Sequence, residues 1–189
     1  MTESNALKEW SLALRAISEG RQIILIRKGG IVEETGAFDV VADTFILYPT
    51  YYHQDPSILK PECRSWLGQD ETGSPDEVLI GLCAELTDTV TLHDPEPLDA
   101  LSAMHIWATA YMQDRYFWKP EKPLTLLLLK AYRLHNPLKL RVLPEYGGCR
   151  SWIELAEPVD VANRSAVLSE EDYRRERASV LDAVSAFAG

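Results

Sequence analysis

Six residues, Leu124-Thr125-Leu126-Leu127-Leu128-Leu129, form the strongest apolar run in the chain. A run this short, bounded by Pro123 and by the polar turn after Leu134, suits a strand covered on both faces better than a helix. The run lies in a segment, residues 115–155, that also holds three of the eight Tyr and two of the five Trp. That segment is the one basic stretch of an acidic protein. Residues 1–114 carry 7 Lys+Arg against 19 Asp+Glu, residues 115–150 carry 8 against 2, and residues 151–189 carry 4 against 8, for a net charge of −10. The overall sign disfavours indiscriminate nucleic-acid binding, whereas a local +6 segment suits a focused anionic ligand. Cations alternating outward from strands with a core face would give the same count.

The 189 residues suit one domain. No run approaches the ~18 apolar residues of a membrane span. The start, Met1-Thr2-Glu3-Ser4-Asn5, has neither the basic nor the apolar region of a signal peptide. Cys63, Cys83 and Cys149 are far apart and include no C-x-x-C, which fits a reducing cytoplasm without disulfides. No P-loop, GxGxxG, H-E-x-x-H or G-x-S-x-G pattern occurs. No catalytic residue, metal ligand or cofactor is therefore expected.

Leu7, Trp10, Leu14 and Ile17 recur at spacings of three and four, which predicts a helix over residues 4–19 closed by Gly20. Residues 21–27 read as a buried strand, turning at Lys28-Gly29-Gly30. Phe45–Tyr48 is a second strand ended by Pro49, and Tyr51–Gln54 a loop. Asp55-Pro56 opens short helical pieces. Residues 69–77 form an exposed acidic loop. Val78–Leu92 is a long strand bent near Asp88. A short helix follows to Met104, and residues 105–112 fit helix or strand equally. Thr125–Leu134 is the central strand, ended by Pro137, and Cys149–Leu155 the last one. Ser169-Glu170-Glu171-Asp172 is a capping box opening a final helix with Tyr173, Val180, Leu181, Val184 and Phe187 on one face.

The predicted class is α+β: a mixed, mostly antiparallel, curled sheet with helices at both termini. Strands and helices do not alternate as a doubly wound sheet requires. Residues 1–160 form a single α+β domain in this reading, and residues 161–189 a C-terminal helical extension packed on it.

The blocks Ala6-Leu7-Lys8-Glu9-Trp10, Gly20 to Ile31, Phe45 to Thr50 with His53-Gln54, Lys122 to Leu129, Tyr132-Arg133-Leu134 and Gly148-Cys149-Arg150-Ser151-Trp152 together resemble a bacterial family, domain of unknown function 1802. The resemblance spans about residues 6–155 and implies no defined activity. Some relatives are joined to Mrr-type restriction endonuclease domains, which implies a restriction-modification setting. None of the seven lysines here has Asp, Glu or Gln two residues before it. The carboxylate-and-lysine spacing by which such nucleases hold metal and water is thus missing. The layout Gly81 to Leu86, then Tyr111-x-x-x-Arg115, then Pro123 to Leu129 is similar to the small PUA/ASCH-like barrels, which usually bind RNA or modified bases.

The residues that carry a binding reading are Arg27, Lys28, Arg115, Lys119, Lys130, Arg133 and Arg150 for phosphates. Tyr52, His53, Gln54 and Trp118 would stack on bases or read their edges. Cys149 beside Arg150 is the candidate reactive thiol. Each has a plainer structural reading: exposed strand cations, a packed aromatic loop, a bulge at Gly147-Gly148. The function expected is a non-enzymatic module for nucleic acid or nucleotide, with no membrane partner. The alternatives are an oligomeric interaction module rich in surface Trp, or a hydrolase around His53, Cys149 and Ser151.

Overall fold

The computed structural model describes residues 1–28, 38–51, 55–69 and 76–186. In chain order the elements are β1 (Thr2–Trp10), α1 (Ser11–Ser18), β2 (Ile24–Lys28), β3 (Thr44–Thr50), β4 (Glu77–Leu92), α2 (Glu96–Ala100), α3 (Thr109–Phe117), β5 (Leu124–Arg141), β6 (Trp152–Asp160), β7 (Arg164–Ala166) and α4 (Glu170–Ser185), with short 3-10 turns between them. The sheet order is β2-β5-β4-β3-β1-β6, with β7 added to β5. Among the described residues only the β1–β3 pair is parallel. The fold is thus mixed α+β around an open, mostly antiparallel sheet.

The leucine run explains the middle of this sheet. Leu124 and Leu126–Leu129 are completely buried between β2 and β4. Burying one such side chain contributes ~1.5–3 kcal/mol, so β5 is the strand least free to shift. Neighbouring residues feed opposite faces, as a period of two requires. Leu7, Phe45 and Ala84 enter the core beneath α1, α3 and α4. Ala6, Ile46 and Cys83 enter a second core with Tyr146, Ile153 and Val159.

Three expectations need correction. Residues 4–19 are not one helix: β1 occupies Thr2–Trp10, and only residues 11–18 are helical. Strand pairing on both sides, to β3 and to β6, outweighs the helical spacing that Leu7 and Trp10 share with Leu14 and Ile17. Gly20 keeps its predicted role, with φ +72° just past α1. Pro137 does not end β5. Leu82 faces Arg133 and Ile80 faces Leu138, so residues 134–137 stand opposite Gly81 alone. A proline is tolerated in such a bulge because its missing N–H breaks no ladder bond. Pro49 lies within β3, beyond the Thr44–Ile46 stretch that pairs with β4.

Other expectations hold. The β4 bend falls between Leu86 and Asp88, where the register shifts. The freed Thr87 hydroxyl contacts the Leu128 carbonyl and the Tyr173 hydroxyl. Asp55 caps the following 3-10 turn through the Ser57 N–H, and Ser169 caps α4 by accepting the Asp172 N–H at 3.1 Å. The ambiguous 105–112 stretch is a bridge from Trp107 to Leu59 followed by α3. The Lys28-Gly29-Gly30 turn, most of the 69–77 loop and Phe187 lie outside the described residues. No described helix is long and apolar enough to cross a membrane.

Candidate functional site

Where β1 ends, β2 ends and α3 crosses above them, the sheet leaves a groove with a cavity of about 400 Å³. Four pieces of chain line it. The end of β1 supplies Lys8, Glu9 and Trp10, and β2 supplies Ile26, Arg27 and Lys28. The approach to α3 and its first turns supply Trp107, Tyr111, Met112 and Arg115. The turn before β6 supplies Cys149, Arg150 and Ser151. Among the described residues no ladder joins β2 to β1, and side chains span the gap instead. Arg27 reaches across to donate to the Glu9 carboxylate at 2.7 Å and to the Lys8 carbonyl at 3.3 Å.

The pair lies on the groove floor, with Glu9 8 % exposed and its other oxygen accepting the Trp10 N–H. The lysines are held differently. Lys8 donates to the carbonyls of Tyr146 at 2.8 Å and Gly148 at 2.9 Å, so it clamps the turn that presents Cys149, Arg150 and Ser151. That turn needs glycine at position 148, where φ is +76°. Lys28, 7 % exposed, donates to the Tyr116 carbonyl and lies 5.4 Å from the centre of its ring. Neither ammonium has a carboxylate within ion-pair distance among the described residues.

Both lysines pay in solvation. Burial pulls the Lys8 pKa down; the Cys149 thiol opposes that, and Arg150 and Arg27 add to it. Burial likewise lowers Lys28, with Glu121 opposing and Arg115 adding. Arg115 donates to the Tyr111 hydroxyl at 3.3 Å, four residues back on α3, and its Nε is buried without a partner among the described residues. Arg150 is exposed and has no hydrogen bond or ion pair to another described residue.

Aromatic rings form the opposite wall. Trp10 meets Trp107 edge-on at 5.1 Å and lies 6.2 Å from Tyr111 with their planes 32° apart. Trp107 and Tyr111 are 5.8 Å apart. The cluster stands beside the cations, with Trp107 buried and Trp10 and Tyr111 half-buried against it.

Of the residues expected at a binding surface, Arg27, Lys28, Arg115, Cys149 and Arg150 therefore converge. Lys130 and Arg133 do not join them. Lys130 pairs with Glu170 of α4, and Arg133 donates to the Ser18 carbonyl at the end of α1. On β5 these two cations serve the packing of helices on the sheet, as outward alternation predicts. Trp118 and Lys119 follow α3 outside the groove lining, with the Lys119 ammonium 4.5 Å over the Trp118 ring. Tyr52, His53 and Gln54 lie outside the described residues. Lys8, Glu9, Trp10 and Trp107 escaped the sequence reading. Assigning residues 4–19 to one helix hid the β1 end, though the Tyr111-x-x-x-Arg115 spacing already marked the α3 wall. Among the described residues no group of three or more His, Cys, Asp and Glu could hold a metal ion.

Fold and groove together define an α+β protein with a cationic, aromatic-walled cleft at one end of an open sheet. The chain belongs to the family described as domain of unknown function (DUF1802), whose model matches residues 6–179. None of the curated proteins matches it. Among solved structures, ASCH from Zymomonas mobilis is similar at 12 % identity and TM-score 0.43, over 93 % of this chain and 93 % of that one. A mutant of the same protein gives 11 % identity and TM-score 0.43, over 92 % and 96 %.

Proposed function

We propose that this chain is a non-enzymatic module that binds nucleic acid or a nucleotide in the β1–β2–α3 groove. The observation that carries the reading is the convergence of Lys8, Arg27, Lys28, Arg115 and Arg150 beside Trp10, Trp107 and Tyr111. Cations meet phosphate and rings stack on bases, so the combination suits a ligand having both. The solvation cost borne by Lys8 and Lys28 supports it, since buried charges kept without carboxylate partners are typical of binding sites. In this proposal the protein works in the cytoplasm, in a restriction-modification setting. What supports that setting is that some members of the family its sequence blocks resemble are joined to Mrr-type domains.

Fluorescence anisotropy with labelled single-stranded oligonucleotides over a salt series tests the reading. Affinity is expected to fall steeply with salt, each neutralised phosphate contributing a slope of roughly −0.7. Arg150→Ala should flatten the slope by about one such step, while Arg133→Ala, which is not among the groove's lining residues, should leave it unchanged. Undetectable or salt-independent binding rejects the proposal. A second reading, self-association, is favoured by Phe117 and Trp118, which are 62 % and 54 % exposed at the end of α3. Sedimentation of wild type and Trp118→Ala separates it from the first.

A further inference from the structure

The groove's charge balance narrows what it holds. Five cations line it, and Glu9 is the one carboxylate among the described lining residues, already engaged by Arg27. This leaves a formal surplus of four positive charges around a cavity of about 400 Å³. That volume lies at the small-ligand end of the ~300–1,000 Å³ range of ligand sites. A strand-tracking groove spreads its cations at the spacing of phosphodiesters, one charge per nucleotide. Here all five line one groove. Lys8 and Lys28 donate only to carbonyls and have no ion-pair partner among the described residues, with the Glu121 carboxylate acting on Lys28 only from a distance. Arg115 adds a buried Nε–H without a partner, and Arg150 stands free at the rim.

We propose that the groove takes a 5′-polyphosphate, the triphosphate of a free nucleotide or of an oligonucleotide 5′ end, with the base against Trp10, Trp107 and Tyr111. This rests on the nucleotide-binding reading above. A triphosphate concentrates roughly four negative charges, about two of them on its terminal phosphate, and so matches the surplus. A monophosphate leaves about half of it unmet. Lys28 and Arg115 would meet the deeper phosphates and Arg150 the outer one. Both lysines gain an anionic partner on binding, which removes the penalty that now lowers their pKa.

The experiment is a calorimetric titration at low salt with EDTA, so that each phosphate carries its full charge. The ligands are adenosine mono-, di- and triphosphate, and one short oligoribonucleotide with either a 5′-hydroxyl or a 5′-triphosphate. Affinity is expected to rise roughly tenfold per added phosphate, about a hundredfold across the mononucleotide series. Arg150→Ala should remove at least tenfold from the triphosphate, and Arg115→Ala should weaken the mono-, di- and triphosphate alike. A triphosphorylated oligonucleotide that outbinds the free triphosphate identifies the source as a 5′ end; the reverse identifies a free nucleotide. A gain of less than tenfold from mono- to triphosphate overturns the inference. Should the 5′-hydroxyl oligonucleotide bind and the triphosphates not, the inference falls and the nucleic-acid reading stands. Should nothing bind, both fall.

Discussion

His105 shows how a single buried group couples this fold to pH. Its Nδ1 accepts the Trp107 N–H at 3.1 Å, and its Nε2 is buried without a partner among the described residues. Burial, reinforced by the nearby Lys60, pushes its pKa down to about 4. The ring is therefore neutral in the folded protein at pH 7. The unfolded chain takes up the proton near the ordinary value of 6.5, so between about 6.5 and 4 the unfolded state binds more protons. The stabilisation is complete above that window and is lost as pH falls through it, by about 3 kcal/mol in all. Urea unfolding at pH 7.5 and pH 5 should show wild type losing roughly 2 kcal/mol more than His105→Gln. Equal losses in the two proteins would assign the acid sensitivity to other groups. Burial also lowers the Lys8 and Lys28 pKa values, so both act with the same sign, making the fold less stable as pH falls.

At the scale of elements, the final helix is where packing is most open to test. β7 pairs with Tyr132–Leu134 of β5, and α4 buries Tyr173 and Val180 in the main core. Arg177 grips Asp88 through both guanidinium arms, and Arg164 pairs with Glu85. We propose that residues 161–189 are an extension dependent on the body formed by residues 1–160. Deleting residues 169–189 should uncover core equivalent to several kcal/mol, and the melting temperature should fall by at least about 10 °C. An unchanged melting temperature would make the extension a separate unit.

The same elements show what the sequence makes legible. β4, the core of β5 and the α4 cap were readable because each rests on local signals: alternation, an apolar run, a Ser three residues before Asp. β1 was not, because its strand state comes from partners more than 30 residues away in the chain. Pro137 misled for a related reason, since the bulge that accommodates it exists only when β4, β5 and β7 are together. Part of the groove was visible, Arg115, Cys149 and Arg150 in the basic segment and Arg27 and Lys28 at the end of a predicted strand. The rest required knowing that β1 ends beside β2.

On the scale of the whole molecule, a protein of net charge −10 gathers five of its 19 Lys and Arg residues along one cleft. Beyond a Debye length of about 8 Å at physiological salt the acidic surface is largely screened, so it weakens long-range attraction of polyanions without cancelling the groove. We propose that ligand selectivity then comes from shape and stacking at close range more than from steering. The five tryptophans report on this directly. In a two-dimensional 15N–1H NMR titration, with indole signals assigned by Trp→Phe variants, nucleotide or oligonucleotide should shift Trp10 and Trp107. Trp66, beneath Arg15 and Arg21, and Trp152, stacked near Phe38 and donating to the Asp39 carbonyl, should stay in place. Saturating ligand that leaves Trp10 and Trp107 unmoved, or that shifts Trp66 and Trp152 in their stead, would contradict it.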